Sequence, residues 1–327
     1  MIRIATLITL VFGLMAQHAG CSDSKRNTMS TNAQDYIDAF RRGENFNPPA
    51  KGVFVNGQPD DAALQILGKE LAVADPNVRE NIIRLLVDMG RTTDPLTAQG
   101  ADVLRHSRIL ELLANEGLSK PDLGREAAME ALRKLVTTRD LARFDQVFTN
   151  ALAEEPTNGA FLLVAKAKSS KAKDLVDRLI KLPKWENLES AKIARAALGS
   201  KEDEDQFLAV AAAATTGEAL AKAIGPLALM GTPRSLKVIG EKLRSPLTIE
   251  VSGHMPGKSE KSVRLNVLDG LLYNFPDQPV LYPNNINRDE DYRAAERFCM
   301  DNLGVVYTEP PPPFLKLRNS PPQPVRR

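Results

Sequence analysis

The chain has 327 residues, long enough for one large or two ordinary domains, and its 43 Lys and Arg nearly balance 41 Asp and Glu. A net charge of +2 excludes the basic excess of a dedicated nucleic-acid binder. Aromatics at 5%, one Trp and abundant Ala and Leu are a helical-repeat composition, in which small residues let helices pack closely.

Residues 1–20 read as a targeting segment. Arg3 is a minimal basic start, and residues 4–15 form an uncharged apolar run. That run is shorter than the roughly 20 residues a spanning helix needs, and matches a signal-peptide core. Ala19-Gly20-Cys21 resembles the end of a bacterial lipobox, with His18 where that pattern has a branched aliphatic residue. The resemblance implies that Cys21 receives a lipid and anchors the chain in the cell envelope. Ser22, in place of a retention aspartate, favours the outer membrane. Simple secretion is one alternative, and a cytosolic chain starting at Met29 is another. Residues 22–34 are polar and read as a tether. Tyr36, Ile37 and Phe40, with Gly43 behind them, predict a short helix, and residues 44–59 an irregular segment with a short strand at 53–55 and an Asn56-Gly57 turn. Residues 21–59 are thus expected to be a tether and a loop packed on the open end of a helical stack.

From Asp60 to residue 304 the apolar residues recur at helical spacing. Leu64, Leu67 and Leu71 make a first stripe; Asp75 caps, and Pro76 opens a second helix. Residues 92–114 predict a longer helix with Leu104, Leu110 and Leu113 on its apolar side, then a loop over 115–124 and a helix over 125–135. From Thr137, Leu141, Phe144 and Phe148 fall at plus 4, plus 7 and plus 11; from Thr232, Leu236, Ile239 and Leu243 do the same. From Ser200 those offsets give Glu204, Phe207 and Ala211, with one polar departure, and Ser169 and Ser170 precede Leu175 and Leu179 one residue out of register. Met89-Gly90, Leu198-Gly199 and Met230-Gly231 each place glycine where a hairpin breaks. Two short helices per period of about 30 residues cannot bury their own faces and must stack, which makes the fold all-α and an α-solenoid.

Gly231-Thr232-Pro233-Arg234-Ser235-Leu236, and Asp75-Pro76-Asn77-Val78-Arg79 with Ile82 and Leu86, resemble the short HEAT-like repeat of bacterial solenoids. The resemblance covers about residues 60–304 and implies a binding scaffold with specificity set by edge loops.

Lys166, Lys168, Lys171 and Lys173 form a run without an acid; alone it would suit phosphate or anionic headgroups. Glu202-Asp203-Glu204-Asp205 stands at the matching place one repeat later, so the two runs are expected to face each other. Trp185 reads as a plug between repeats. Alternation over 247–251 predicts a β-hairpin inserted near 246–262, and residues 275–288 predict a second long loop. If a specific site exists, these two edge loops hold it, with His254, Asn284, Asn285, Asn287 and Arg288 as ligand-binding candidates. Asn285, Asn287, Asp289, Asp291 and Glu296 mimic EF-hand spacing, but Glu290 stands where that loop needs glycine; an acidic helix start leading to Tyr292, Ala295, Cys299 and Leu303 accounts for them better. Cys299 reads as a buried thiol without a disulfide. Residues 305–327 are a Pro-rich tail.

The three histidines, His18, His106 and His254, do not cluster, and no phosphate loop or nucleophile elbow occurs. No metal, cofactor, catalysis or nucleic acid is therefore expected. The expectation is a lipid-anchored or secreted scaffold that binds a protein partner; the alternative is a cytosolic HEAT-like enzyme or nucleic-acid protein starting at Met29.

Overall fold

A helix leaves its first backbone amides without partners, and short polar side chains here accept from them. The structure, a computed structural model, describes residues 32–55, 57–91, 101–120, 122–252, 258–275 and 289–301. In α1 (Ala33–Arg41) the cap is Asn32, in α2 (Asp61–Val73) Asp60, and in α3 (Pro76–Arg91) Asp75, which accepts from the amides of Asn77 and Val78 at 3.0 and 3.1 Å. Leu64, Leu67 and Leu71 of α2 and Ile82, Leu86 and Met89 of α3 are buried. Each such side chain contributes about 1.5–3 kcal/mol by leaving water. The segment before α2 closes the end of this pair: β1 (Phe54–Val55) turns into β2 (Gln58–Pro59), and the amides of Phe46 and Ala50 donate to Asn81 and Asp88 of α3.

The next helices are α4 (Ala101–Leu112), which widens into a π-turn over Leu113–Gly117, α5 (Leu123–Leu135), α6 (Leu141–Glu154) and α7 (Asn158–Ala167). After them come α8 (Lys173–Leu179), α9 (Glu189–Ala197), α10 (Lys201–Ala213), α11 (Gly217–Met230) and α12 (Pro233–Lys242). An antiparallel hairpin of β3 (Thr248–Ser252) and β4 (Lys258–Ser262) leads to α13 (Val263–Asn274), and α14 (Asp289–Asp301) closes the described chain. Alternate helices form one row, α3 on α5, then α7, α9, α11 and α13, while α10, α12 and α14 stack as a second layer. The fold is all-α with one small β-hairpin insertion, its helical hairpins leaning on one another in sequence as in a solenoid. The row curls, because α7 also touches α11 and α13 touches α5. No helix among the described residues is long and apolar enough to cross a membrane.

The α11–α12 junction follows its sequence closely. Gly231 takes φ +55° and returns its amide to the Leu227 carbonyl; Thr232 accepts from the Ser235 amide, and Leu236, Ile239 and Leu243 are buried. Three expectations need correction. Gly90 does not end its helix: α3 runs through it to Arg91, and a Cβ there would lie 2.9 Å from Leu135 Cδ1, so the glycine serves the close approach of α3 to α5. Leu104 is 71% exposed, because the face of α4 that packs carries Ile109 and Leu110 and the π-turn rotates Leu113 inward. Thr137 does not cap α6 as Thr232 caps α12; it donates its amide and hydroxyl to Asp140 at 3.1 and 2.7 Å, and the helix starts at Leu141.

Candidate functional site

The helix row breaks three times at a residue with positive φ after the last helical turn: Lys168, Gly199 and Gly231, at +48°, +107° and +55°. Glycine occupies that conformation without steric cost, whereas for a residue with a Cβ the left-handed form costs about 1–2 kcal/mol. Lys168 is the one non-glycine in this region among the described residues. Its backbone amide closes α7 onto the carbonyls of Val164 and Ala165, and Ser169 then accepts from the Ala172 amide to start the turn before α8. Its Nζ reaches 63 residues along the chain and donates to the Gly231 carbonyl at 2.6 Å. Lys168 is exposed as a whole residue, and desolvation around its amine holds its pKa below the usual lysine value.

Both residues of this bridge line a cavity of about 550 Å³. The rim comes from Thr138 and Leu141 at the start of α6, Lys166 and Lys168 at the end of α7, Leu236 of α12, Phe275 after α13, and Arg297, Phe298 and Asp301 of α14. Phe275 and Phe298 meet with ring centroids 5.2 Å apart, and Phe275 packs so closely on Gly231 that a Cβ there would lie 3.0 Å from its ring. Lys166 donates to the Arg133 carbonyl at 2.6 Å, which ties the same end of α7 to α5. The cavity walls thus combine an apolar aromatic face with three cationic side chains against one carboxylate, Asp301.

The acidic run is engaged by arginines: Arg195 for Asp203, and Arg234 for Glu204 and Asp205. Asp203 pairs with Arg195, which lies beside it across the α9–α10 turn, and this bond holds the Arg195 pKa above its ordinary value. Glu204 accepts from the Thr232 hydroxyl at 2.5 Å and from Arg234 at 2.8 Å, and Asp205 accepts from Arg234 at 2.6 Å. The polar departure in the α10 stripe is therefore a clasp between successive hairpins. Lys171 instead reaches Gln146. Trp185 packs edge-on against Phe161 at 5.8 Å with the Lys184 amine 4.3 Å over its ring, inside one local cluster.

Cys21, His254, Asn284, Asn285, Asn287 and Arg288 lie outside the described residues. Of the EF-hand-like set, Glu296 is engaged by Arg244 in a two-pronged pair at 2.5 and 2.7 Å, and no group of three metal-ligating side chains occurs among the described residues. Cys299 is buried against Gly240, and burial pushes its thiol up to about 12, which keeps it protonated and unreactive. His106 sits against the start of α6 with Nε2 3.7 Å from Asp140. A second pair of depressions lies between α2 and α4, around Gln65, Leu104 and Arg108.

Arg297 and Phe298 were missed in the sequence because the helical stripe through Tyr292, Ala295 and Cys299 assigns them to the solvent face of α14. That face and the end of α7 line the same cavity. Lys168 carried a usable signal: it stands at the helix-terminal position that Gly199 and Gly231 fill elsewhere. Compared with known protein families, curated proteins and solved structures, the chain matches none.

Proposed function

We propose that the protein is a HEAT-like scaffold of the bacterial envelope, anchored through a lipid on Cys21 or secreted, which binds a protein partner without chemically altering it. The observation that carries this reading is the meeting of Lys168 with Gly231, residues of different hairpins, in one open surface cavity. Stacked hairpins present side chains from distant parts of a chain on one continuous face, and such faces recognise extended partners. Capped helix starts at Asp75, Ser200 and Thr232 support the repeat character, and the Ala19-Gly20-Cys21 sequence supports the anchor.

Growth with an alkyne-bearing fatty acid tests the anchor. The wild type is expected to take up the label and to sediment with the envelope, and Cys21→Ser to lose the label. A photo-crosslinking residue placed at Arg297 is expected to yield one discrete protein adduct in the envelope fraction. An unlabelled cytosolic chain beginning at Met29, with no such adduct, would replace this reading with the cytosolic enzyme or nucleic-acid protein.

A further inference from the structure

We infer that the bond from Lys168 to Gly231 is a latch over a hinge inside α11. While it holds, the curl of the row stays closed. When it is released, α11 bends at Gly225-Pro226 and carries α12 away from α7, which widens the cavity between them. The device goes beyond the scaffold reading, because it belongs to the fold whatever the cavity receives. Three observations carry it.

The first is where the bond reaches. Stacked hairpins contact their neighbours, so the curvature of a row is a sum of small rotations that no single neighbouring interface locks. In this row α9 stands between α7 and α11, yet the Lys168 amine joins the ends of α7 and α11 directly, at 2.6 Å and across 63 residues. Its acceptor is a carbonyl at a helix C-terminus, the negative end of the helix dipole. Lysine takes the left-handed backbone there that Gly199 and Gly231 take at the other breaks, so the side chain, not the turn, accounts for the residue.

The second is a glycine that packing does not explain. At Gly68, Gly90, Gly159, Gly240 and Gly270, all within helices, a Cβ would meet a neighbour at 3.2 Å or less; around Gly225 nothing lies within 4 Å. The next residue explains it. Proline clashes with a helical residue before it, chiefly through that residue's Cβ, and glycine has none. Pro226 also has no N–H, so α11 lacks the bond back to the Lys222 carbonyl, and interior prolines are where helices kink.

The third is how the two halves of α11 are held. Before the hinge, Gly217 lies against the Thr248 backbone and Ile224 against Gly270 of α13. Beyond it, Gly231 meets the Phe275 ring and accepts from Lys168. The ring contact is apolar and non-directional, so it tolerates sliding, whereas the hydrogen bond fixes a distance. The clasp of Arg244 on Glu296 makes α14 follow α12.

Pulsed dipolar spectroscopy on the purified full chain, in a Cys21→Ser background, tests the device. Nitroxides go on Ala142→Cys and Lys237→Cys, exposed positions beside Leu141 and Leu236 of the cavity wall, and Cys299 is buried away from the label. A bend of about 20° acting over about 15 Å of chain moves the second label by about 5 Å. The parent is expected to give one distance, and Lys168→Met a distance longer by about that amount. Lys168→Gly, which keeps the left-handed turn without a side chain, is expected to open the row equally. Adding Gly225→Ala and Pro226→Ala to Lys168→Met restores the helical bond to residue 222 and is expected to return the parent distance. The parent distance in either single Lys168 variant overturns the latch, and an opened distance that survives the two alanines overturns the hinge. Loss of the helical circular dichroism signal in both Lys168 variants would make the bond a requirement for folding, and overturns the proposal as well.

Discussion

Between α3 and α5 the connection is a cation driven into backbone. Arg79 has no exposed surface; it donates to the carbonyls of Leu71, Glu116 and Gly117 at 2.6, 3.1 and 3.2 Å, and its Nε lies 3.2 Å from the Asp122 carboxylate. One side chain thereby closes the C-terminus of α2, satisfies the π-turn after α4 and meets the cap of α5. Between α12 and α14 the same task falls to a carboxylate clasp, Arg244 on Glu296, whose side chains are 26% and 6% exposed. Both join one hairpin to the next, but they respond to different perturbations. Solvent and salt do not reach the Arg79 guanidinium, so that lock is governed by the cost of stranding buried carbonyls. The second is partly screened, so it is governed by charge and ionic strength.

The largest effect is expected from the buried cation. Arg79→Met removes the donor from three carbonyls and the partner from Asp122, and the expected loss is about 3–5 kcal/mol, read as a fall in the urea midpoint. The loss should be the same at low and high salt. If Arg79→Met costs no more than a change at Glu296, the contrast between the two regions is wrong.

The hairpin insertion offers a second, steric way to sharpen it. Gly217, the first residue of α11, lies under the β3 strand: a Cβ there would fall 2.1 Å from the Thr248 carbonyl oxygen and 2.6 Å from its carbon. These are backbone atoms that no rotamer change can clear. Gly217→Ala is expected to cost about 1–3 kcal/mol, with faster amide exchange in β3 and the first turn of α11 and little change at α3. Uniform exchange across the chain would mean that the two regions unfold as one unit.

Glu296→Gln keeps an oxygen acceptor for Arg244 and removes the charge. About 1–2 kcal/mol is expected at low ionic strength, shrinking in molar salt as the wild-type pair is screened. A salt-independent loss would place this clasp with the buried cation and not opposite it.

Much of this was legible beforehand because caps and stripes are local. Asp60, Asp75, Ser200 and Thr232 each declare a helix start within three residues of their own position, and the offsets to Leu236, Ile239 and Leu243 give the buried face directly. The β-hairpin was readable for the same reason. The locks were not. Arg79 lies inside the Asp75-Pro76-Asn77-Val78-Arg79 motif, yet its partners sit 37, 38 and 43 positions further on, fixed by how a π-turn presents Glu116 and Gly117 and by the cap at Asp122. Glu204 looked like a defect in an apolar stripe until α12 supplied Thr232 and Arg234. The cavity was illegible for a related reason: the curl that sets α11 against α7 and α13 against α5 is the sum of small rotations between hairpins, and no single hairpin encodes it.

Asp140 gives the smallest expected effect and the one with a pH signature. Burial alone would raise its pKa, but hydrogen bonding to His106 and to the hydroxyl and amide of Thr137 outweighs that and holds the carboxyl below its usual value. A folded pKa below the unfolded one means stabilisation that is complete above the unfolded value, about 3.9, and is lost as pH falls through the folded value. Asparagine at 140 keeps an acceptor for Thr137 and loses only the charge, so Asp140→Asn is expected to cost about 0.5–1 kcal/mol at pH 7. The difference between variant and wild type should shrink toward zero as pH drops below about 4, because the wild type then carries a neutral carboxyl as well. Urea titrations of both proteins from pH 7 to pH 3 measure it. A pH-independent gap would mean that Asp140 acts through the shape of its turn alone, as the uncharged Thr232 does at the start of α12.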